Sequence, residues 1–123
     1  MKKILVVDDE KDFTALIKTT LEIRGHYEVR MENEMSLALD AARAFKPDLI
    51  LLDLMAPGNI NGGEIAGRIK SDPKIKDTPI VFITAATTKE EVVSKGGFIG
   101  GHPFIAKPVN IKELINYIDK TLS

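Results

Sequence analysis

The chain has no cysteine among its 123 residues, so disulfides and thiolate chemistry are excluded and redox usage says nothing about compartment. It also lacks a charge excess, because 17 lysines and arginines against 18 aspartates and glutamates leave a formal net charge of -1. No global field draws it to nucleic acid or to an anionic membrane surface, and any electrostatic effect is local. Long apolar runs are missing too. None approaches the roughly 18 residues of a membrane span. The opening MKKILVVDDE is interrupted by charge before a signal-peptide core is complete. A cytoplasmic protein, without direct contact to nucleic acid or membrane, is the expectation. Neither G-x-G-x-x-G nor G-x-x-x-x-G-K-S/T follows any apolar run, which disfavours a nucleotide-binding fold. The length suits one domain spanning residues 1–123.

Three short runs are apolar on both faces: KKILVVD (2–8), DLILLD (48–53) and PIVFITA (79–85). Such runs fit strands buried in a parallel sheet. Tyr27-Glu28-Val29-Arg30-Met31 alternates strictly and Phe104-Ile105-Ala106 is brief, so each suits a sheet edge. Helical stripes lie between the runs. Phe13, Leu16, Ile17, Thr20 and Leu21 form the first, stopped by Gly25; Leu37, Ala38, Ala41, Ala44 and Phe45 form the second, stopped before Pro47. Ile65 with Ile69, and Val92 with Val93, mark shorter third and fourth helices. Ile111, Leu114, Ile115, Ile118 and Leu122 form the clearest stripe, opened by Asn110 as N-cap. Strand and helix alternate five times, which predicts a doubly wound α/β sandwich with a five-stranded parallel sheet.

In such folds ligands bind beyond the carboxyl ends of the strands. Those ends carry Asp8 and Asp9, then Asp53, then Thr84, then Lys107-Pro108. Adjacent carboxylates facing a third raise one another's pKa unless a cation sits among them. Mg2+ suits the set, since it takes hard oxygen ligands and pairs one or two carboxylates with a phosphate. A carboxylate beside the cation is a competent nucleophile toward phosphorus, and a lysine and a hydroxyl supply charge neutralisation and positioning.

The residues resemble the receiver domain of bacterial two-component response regulators along the full length, through VVDDE (6–10), LLDLMAP (51–57), TA (84–85) and KP (107–108). The resemblance implies a flavodoxin-like (βα)5 fold with strand order 2-1-3-4-5. It further implies that Asp53 accepts a phosphoryl group from a sensor histidine kinase or a histidine phosphotransfer protein. Mg2+ would be held by Asp8, Asp9 and Asp53 and by the backbone carbonyl of Met55. Thr84 and Lys107 would contact the phosphoryl oxygens, Phe104 would act with Thr84 as a rotameric switch, and the Lys107-Pro108 bond would be cis. Output to a downstream protein would run through helix 4, strand 5 and helix 5. The activity expected is self-phosphorylation and self-dephosphorylation rather than enzymatic turnover. Dephosphorylation is expected to be slow, because Met55 and Ala86 offer no carboxylate or amide to orient water.

The chain departs from the family pattern in two places. Ala56 stands before Pro57 where methionine is common, and the loop PGNINGG is one residue longer before its glycine. Glycines 96, 97, 100 and 101 surround Phe98 and Ile99, which are read as packing a loosely held segment. Glu10 is read either as a helix-start charge or as a site residue. His26 is read as a surface loop residue, and His102 has no second histidine or cysteine nearby with which to hold a metal. Two rival functions fit parts of the pattern: a pseudo-receiver that binds protein without phosphorylation, and a phosphohydrolase of the haloacid dehalogenase type. The second needs an Asp-x-Asp nucleophile on the first strand, where this chain reads Asp8-Asp9-Glu10. No sequence remains after the last stripe for an effector domain, so the expectation is a stand-alone regulator or a piece of a longer one.

Overall fold

Successive side chains of a strand point to opposite faces, and a strand apolar at every position therefore demands a core on each side. The computed structural model describes residues 1–54, 62–84, 98–99 and 102–122, and it has both cores. On one face Leu5, Val7, Ile50, Leu52, Phe82 and Phe104 are buried. On the other are Ile4, Val6, Leu49, Leu51, Val81 and Ile83.

The strands are β1 (Lys2–Val7), β2 (Tyr27–Glu32), β3 (Leu49–Asp53), β4 (Ile80–Thr84), β5 (Phe98–Ile99) and β6 (His102–Ala106). The described helices are α1 (Lys11–Ile23), α2 (Ala38–Phe45), α3 (Gly62–Lys70) and α4 (Ile111–Thr121), with a 3-10 turn at Met35–Leu37 leading into α2. Residues of α2 and α3 cover the Phe82 face, and those of α1 and α4 cover the Val81 face. The sheet order is β2-β1-β3-β4-β6-β5. The five longer strands are parallel and run in the expected order 2-1-3-4-5, with β6 as the fifth.

Two local features differ from the sequence reading. Phe98 and Ile99 form a short sixth strand, antiparallel to β6 with Ile99 opposite His102. Only Gly100 and Gly101 separate that pair, and a two-residue glycine link between extended segments is a hairpin signal. The expected edge strand, β6, is thus covered at its start. In α1 the buried set is Thr14, Ile17 and Leu21, whereas Leu16 is half exposed. Threonine is tolerated there because its hydroxyl donates to the Lys11 carbonyl at 3.1 Å and accepts from Asn33 at 2.9 Å.

The helix ends follow their sequence signals. Gly25, with φ of 84°, takes the left-handed turn after α1. Lys46 adopts φ of 50° after α2 and Pro47 follows. Asn110 caps α4, its side-chain oxygen accepting from the Glu113 amide at 3.1 Å.

Candidate functional site

A parallel sheet delivers all its carboxyl ends to one rim, and the chemistry of this chain is concentrated there. Asp8 follows β1, Asp53 ends β3, Thr84 ends β4 and Lys107 follows β6. Asp8, Asp53 and Thr84 are buried, and Asp9 is exposed. One carboxylate oxygen from each of Asp8, Asp9 and Asp53 lies within 4.8 Å of the other two. Lys107 Nζ donates to Asp8 Oδ2 at 2.8 Å and to Glu10 Oε1 at 3.1 Å, and stands 4.9 Å from the centre of the Phe13 ring. Burial acts to lower the Lys107 pKa, but hydrogen bonds to Asp8 and Glu10 and the fields of Asp8 and Asp53 outweigh it and raise the pKa. The Lys107-Pro108 bond is cis, as the resemblance implied.

The loop after β1 is tightly held. Asp8 N donates to the Glu32 carbonyl at 3.0 Å, and Asp8 Oδ1 accepts from the Glu10 amide at 2.9 Å. After β3, Gly62 N donates to the Leu54 carbonyl at 2.7 Å. A Cβ at Gly62 would collide with the Asp53 carbonyl oxygen and would lie 2.9 Å from Leu54 Cα. Only glycine lets α3 start this close to the end of β3. Gly62 stands nine residues after Asp53, one position later than the glycine of the family pattern.

Three carboxylates against one ammonium leave the rim with net negative charge, and the donors are hard oxygens. That set fits Mg2+. Asp8, Asp9, Asp53, Thr84 and Lys107 come together as the sequence order suggested. Met55, Ala86 and the fourth helical stripe at Val92 and Val93 lie outside the described residues. Glu10 reaches Lys107, which sequence alone left undecided. Asn33 and Gly62 were not legible as site supports, since an asparagine after a strand and a glycine in a loop are ordinary. His26 and His102 both lie at the opposite rim, at the starts of β2 and β6. His26 is exposed, and His102 meets Phe82 edge-on at 5.5 Å, with burial pushing its pKa down and Lys70 adding to the shift.

A doubly wound sheet with acidic side chains at the ends of β1 and β3 and a lysine after β6 defines the receiver class. The chain belongs to that family: the model of the response regulator receiver domain matches residues 4–119. Receiver domains are signalling domains that work with histidine kinases and downstream targets, and they typically bind Mg2+ in an acidic pocket. The nisin biosynthesis regulatory protein NisR of Lactococcus lactis subsp. lactis is 41% identical over 120 residues, covering 98% of this chain and 50% of that protein. The polar-differentiation response regulator DivK of Brucella anthropi is 31% identical over 123 residues, covering 98% of this chain and 96% of that protein. The chemotaxis response regulator CheY4 of Vibrio cholerae superposes with a TM-score of 0.82 at 29% identity, covering 99% of both chains. The chain spans about half the length of NisR and of two other matched regulators, SpaR and PhoB. No described helix is long and apolar enough to cross a membrane.

Proposed function

We propose that the chain is a phosphorylation switch whose acceptor is Asp53. A carboxylate oxygen of Asp53 attacks the phosphorus of a phosphohistidine on a sensor kinase or phosphotransfer protein. The O–P bond forms as the P–N bond breaks, and the electron pair leaves with the imidazole nitrogen. Bound Mg2+ would lie among Asp8, Asp9, Asp53 and the Met55 carbonyl and would neutralise phosphoryl charge. Lys107, already at the rim, exchanges a carboxylate partner for a phosphoryl oxygen, and Thr84 supplies a hydroxyl to another. The observation that carries this reading is the convergence of three carboxylates within 4.8 Å beside the Lys107 ammonium.

A donor protein must bring its phosphohistidine to this rim. A largely apolar groove of about 470 Å³, lined by Phe13, Leu16, Pro108, Val109 and Ile111 with Glu10 and Lys107 at its polar side, is the surface proposed to seat it. The half-exposed Leu16 belongs to that groove. Output is proposed to pass through the fourth helical segment, β6 and α4 to a protein target. Catalysis is limited to the domain's own phosphorylation and dephosphorylation.

Intact-mass measurement with acetyl phosphate or beryllofluoride tests the assignment. Wild type should gain one adduct in Mg2+ and none in chelator, and Asp53→Asn should gain none. Full modification of Asp53→Asn would overturn the acceptor assignment. An unmodified wild type would favour a pseudo-receiver, and turnover of p-nitrophenyl phosphate would favour a phosphohydrolase.

A further inference from the structure

Asn33 follows β2 and makes two directed hydrogen bonds beside the acidic pair. Its amide nitrogen donates to the Asp8 main-chain carbonyl at 2.8 Å and to Thr14 Oγ1 at 2.9 Å. The orientation of the amide follows from its partners, because a carbonyl oxygen only accepts and the Thr14 hydroxyl already donates to the Lys11 carbonyl at 3.1 Å. Thr14 is fully buried, so a donor lost to its hydroxyl oxygen is not replaced by water. One side chain thereby ties the end of β2 to the end of β1 and to the first turn of α1.

The hydrogen bond to Asp8 bears directly on the site. The peptide joining Asp8 to Asp9 is planar, so its orientation sets the direction in which both carboxylates leave the backbone. The Asp8 amide is held by the Glu32 carbonyl, and its carboxylate by the Glu10 amide and Lys107. Among the described residues, the side-chain hold on the carbonyl of that peptide is Asn33.

We propose that Asn33 is a positioning residue, whose amide fixes the Asp8-Asp9 peptide so that both carboxylates converge with Asp53 on a divalent cation. It acts through Asp8 and so sets cation affinity and, through that, phosphoryl acceptance. The inference rests on reading Asp8, Asp9 and Asp53 as the Mg2+ site.

Mg2+ titration followed by 1H–15N shifts, on the protein without phosphodonor, tests it. Removal of a partner that orients a metal ligand commonly weakens affinity 10–100-fold, and Asn33→Leu should lose about 10-fold. Asn33→Gln keeps the amide and should recover most of the loss. Asn33→Ser keeps one shorter donor and should fall between, giving the same reading if the leucine variant folds poorly. Thr14→Val cuts the other branch of the network; it should lower thermal stability and leave Mg2+ affinity nearly unchanged. Wild-type affinity in Asn33→Leu, or equal losses in Asn33→Leu and Thr14→Val in proportion to lost stability, would overturn the positioning role. Asp9→Asn serves as the separate check on the site itself. If it binds Mg2+ as wild type does, the site reading fails; if it loses binding while Asn33→Leu does not, only the positioning role fails.

Discussion

At the residue scale the strongest constraint is Asp8, whose side chain is almost wholly buried against Lys107, itself mostly buried. Glu10 holds the same ammonium from an exposed position. These two ion pairs have similar distances and very different worth. An exposed pair contributes about 0–1 kcal/mol, whereas stranding a buried charge commonly costs about 3–5 kcal/mol. Urea unfolding without Mg2+ should therefore show Glu10→Gln within about 1 kcal/mol of wild type. Lys107→Ala should lose about 2 kcal/mol or more, part of it restored by Mg2+. Equal losses in the two variants would show that burial does not separate the pairs. Because the Lys107 pKa is raised, its contribution is complete below the ordinary lysine range and is lost only as pH climbs through the raised value.

At the scale of elements, α3 carries two contrasting glycines, and a clamp ties a strand to a helix on one face of the sheet. In α3 a Cβ at Gly62 meets the backbone of Asp53 and Leu54, and one at Gly67 meets nothing within 4 Å. Gly67→Ala should stabilise by about 0.5–1 kcal/mol, the helix-interior cost of glycine. Gly62→Ala should destabilise by about 1–3 kcal/mol, as overpacking does, and should slow beryllofluoride addition because the end of β3 must shift. The reverse order in thermal unfolding would refute the close approach. The clamp closes on Asp119 of α4, whose Oδ1 accepts from Tyr27 of β2 at 2.5 Å and whose Oδ2 accepts from Arg24, just after α1, at 2.6 Å. Burial first, and then the Asp119 carboxylate, push the Tyr27 phenol up to about 12. An acid with a raised folded pKa stabilises fully below its unfolded value, near 10, and loses that stability as pH rises from there through about 12. Tyr27→Phe should flatten this alkaline loss of stability, and ultraviolet titration of the phenols should lose its late-titrating component.

Across the whole molecule, the proposed switch requires that a phosphoryl group at one rim alter another surface, and the proposed path runs between β4 and β6. Thr84 ends β4 opposite Ala106 of β6, and Phe82 of β4 lies opposite Phe104. Phe104 is buried against the Phe82 core. A phosphoryl group adds about -1.5 to -2 charge with strong acceptors, which would draw the Thr84 hydroxyl toward it and free space for the Phe104 ring. A full shift from 1:99 to 99:1 needs about 5.5 kcal/mol of differential interaction, so partial output without phosphate is expected. Aromatic 13C shifts of Phe104 should move on beryllofluoride addition in wild type and stay put in Thr84→Ala. A ring signal unchanged in both would remove Phe104 from the switch.

Much of this was readable in advance, for definite reasons. Strands buried on both faces must be apolar at every position, so β1, β3 and β4 stood out as continuous runs, and parallel topology then sent Asp8, Asp53, Thr84 and Lys107 to one rim. The α4 stripe and its Asn110 cap are local periodicity and local hydrogen bonding, which sequence records directly. Other features depend on which segments meet. That Leu16 is half exposed while Thr14 is buried depends on Asn33, 19 positions away from Thr14, supplying a hydrogen bond. That Gly62 must be glycine depends on the approach of α3 to the Asp53 backbone. That Glu10 reaches Lys107 across 97 positions, and that Asn33 holds Asp8 across 25, belongs wholly to the tertiary structure. A polar side chain's partner is chosen by the fold, whereas an apolar side chain needs only to be buried.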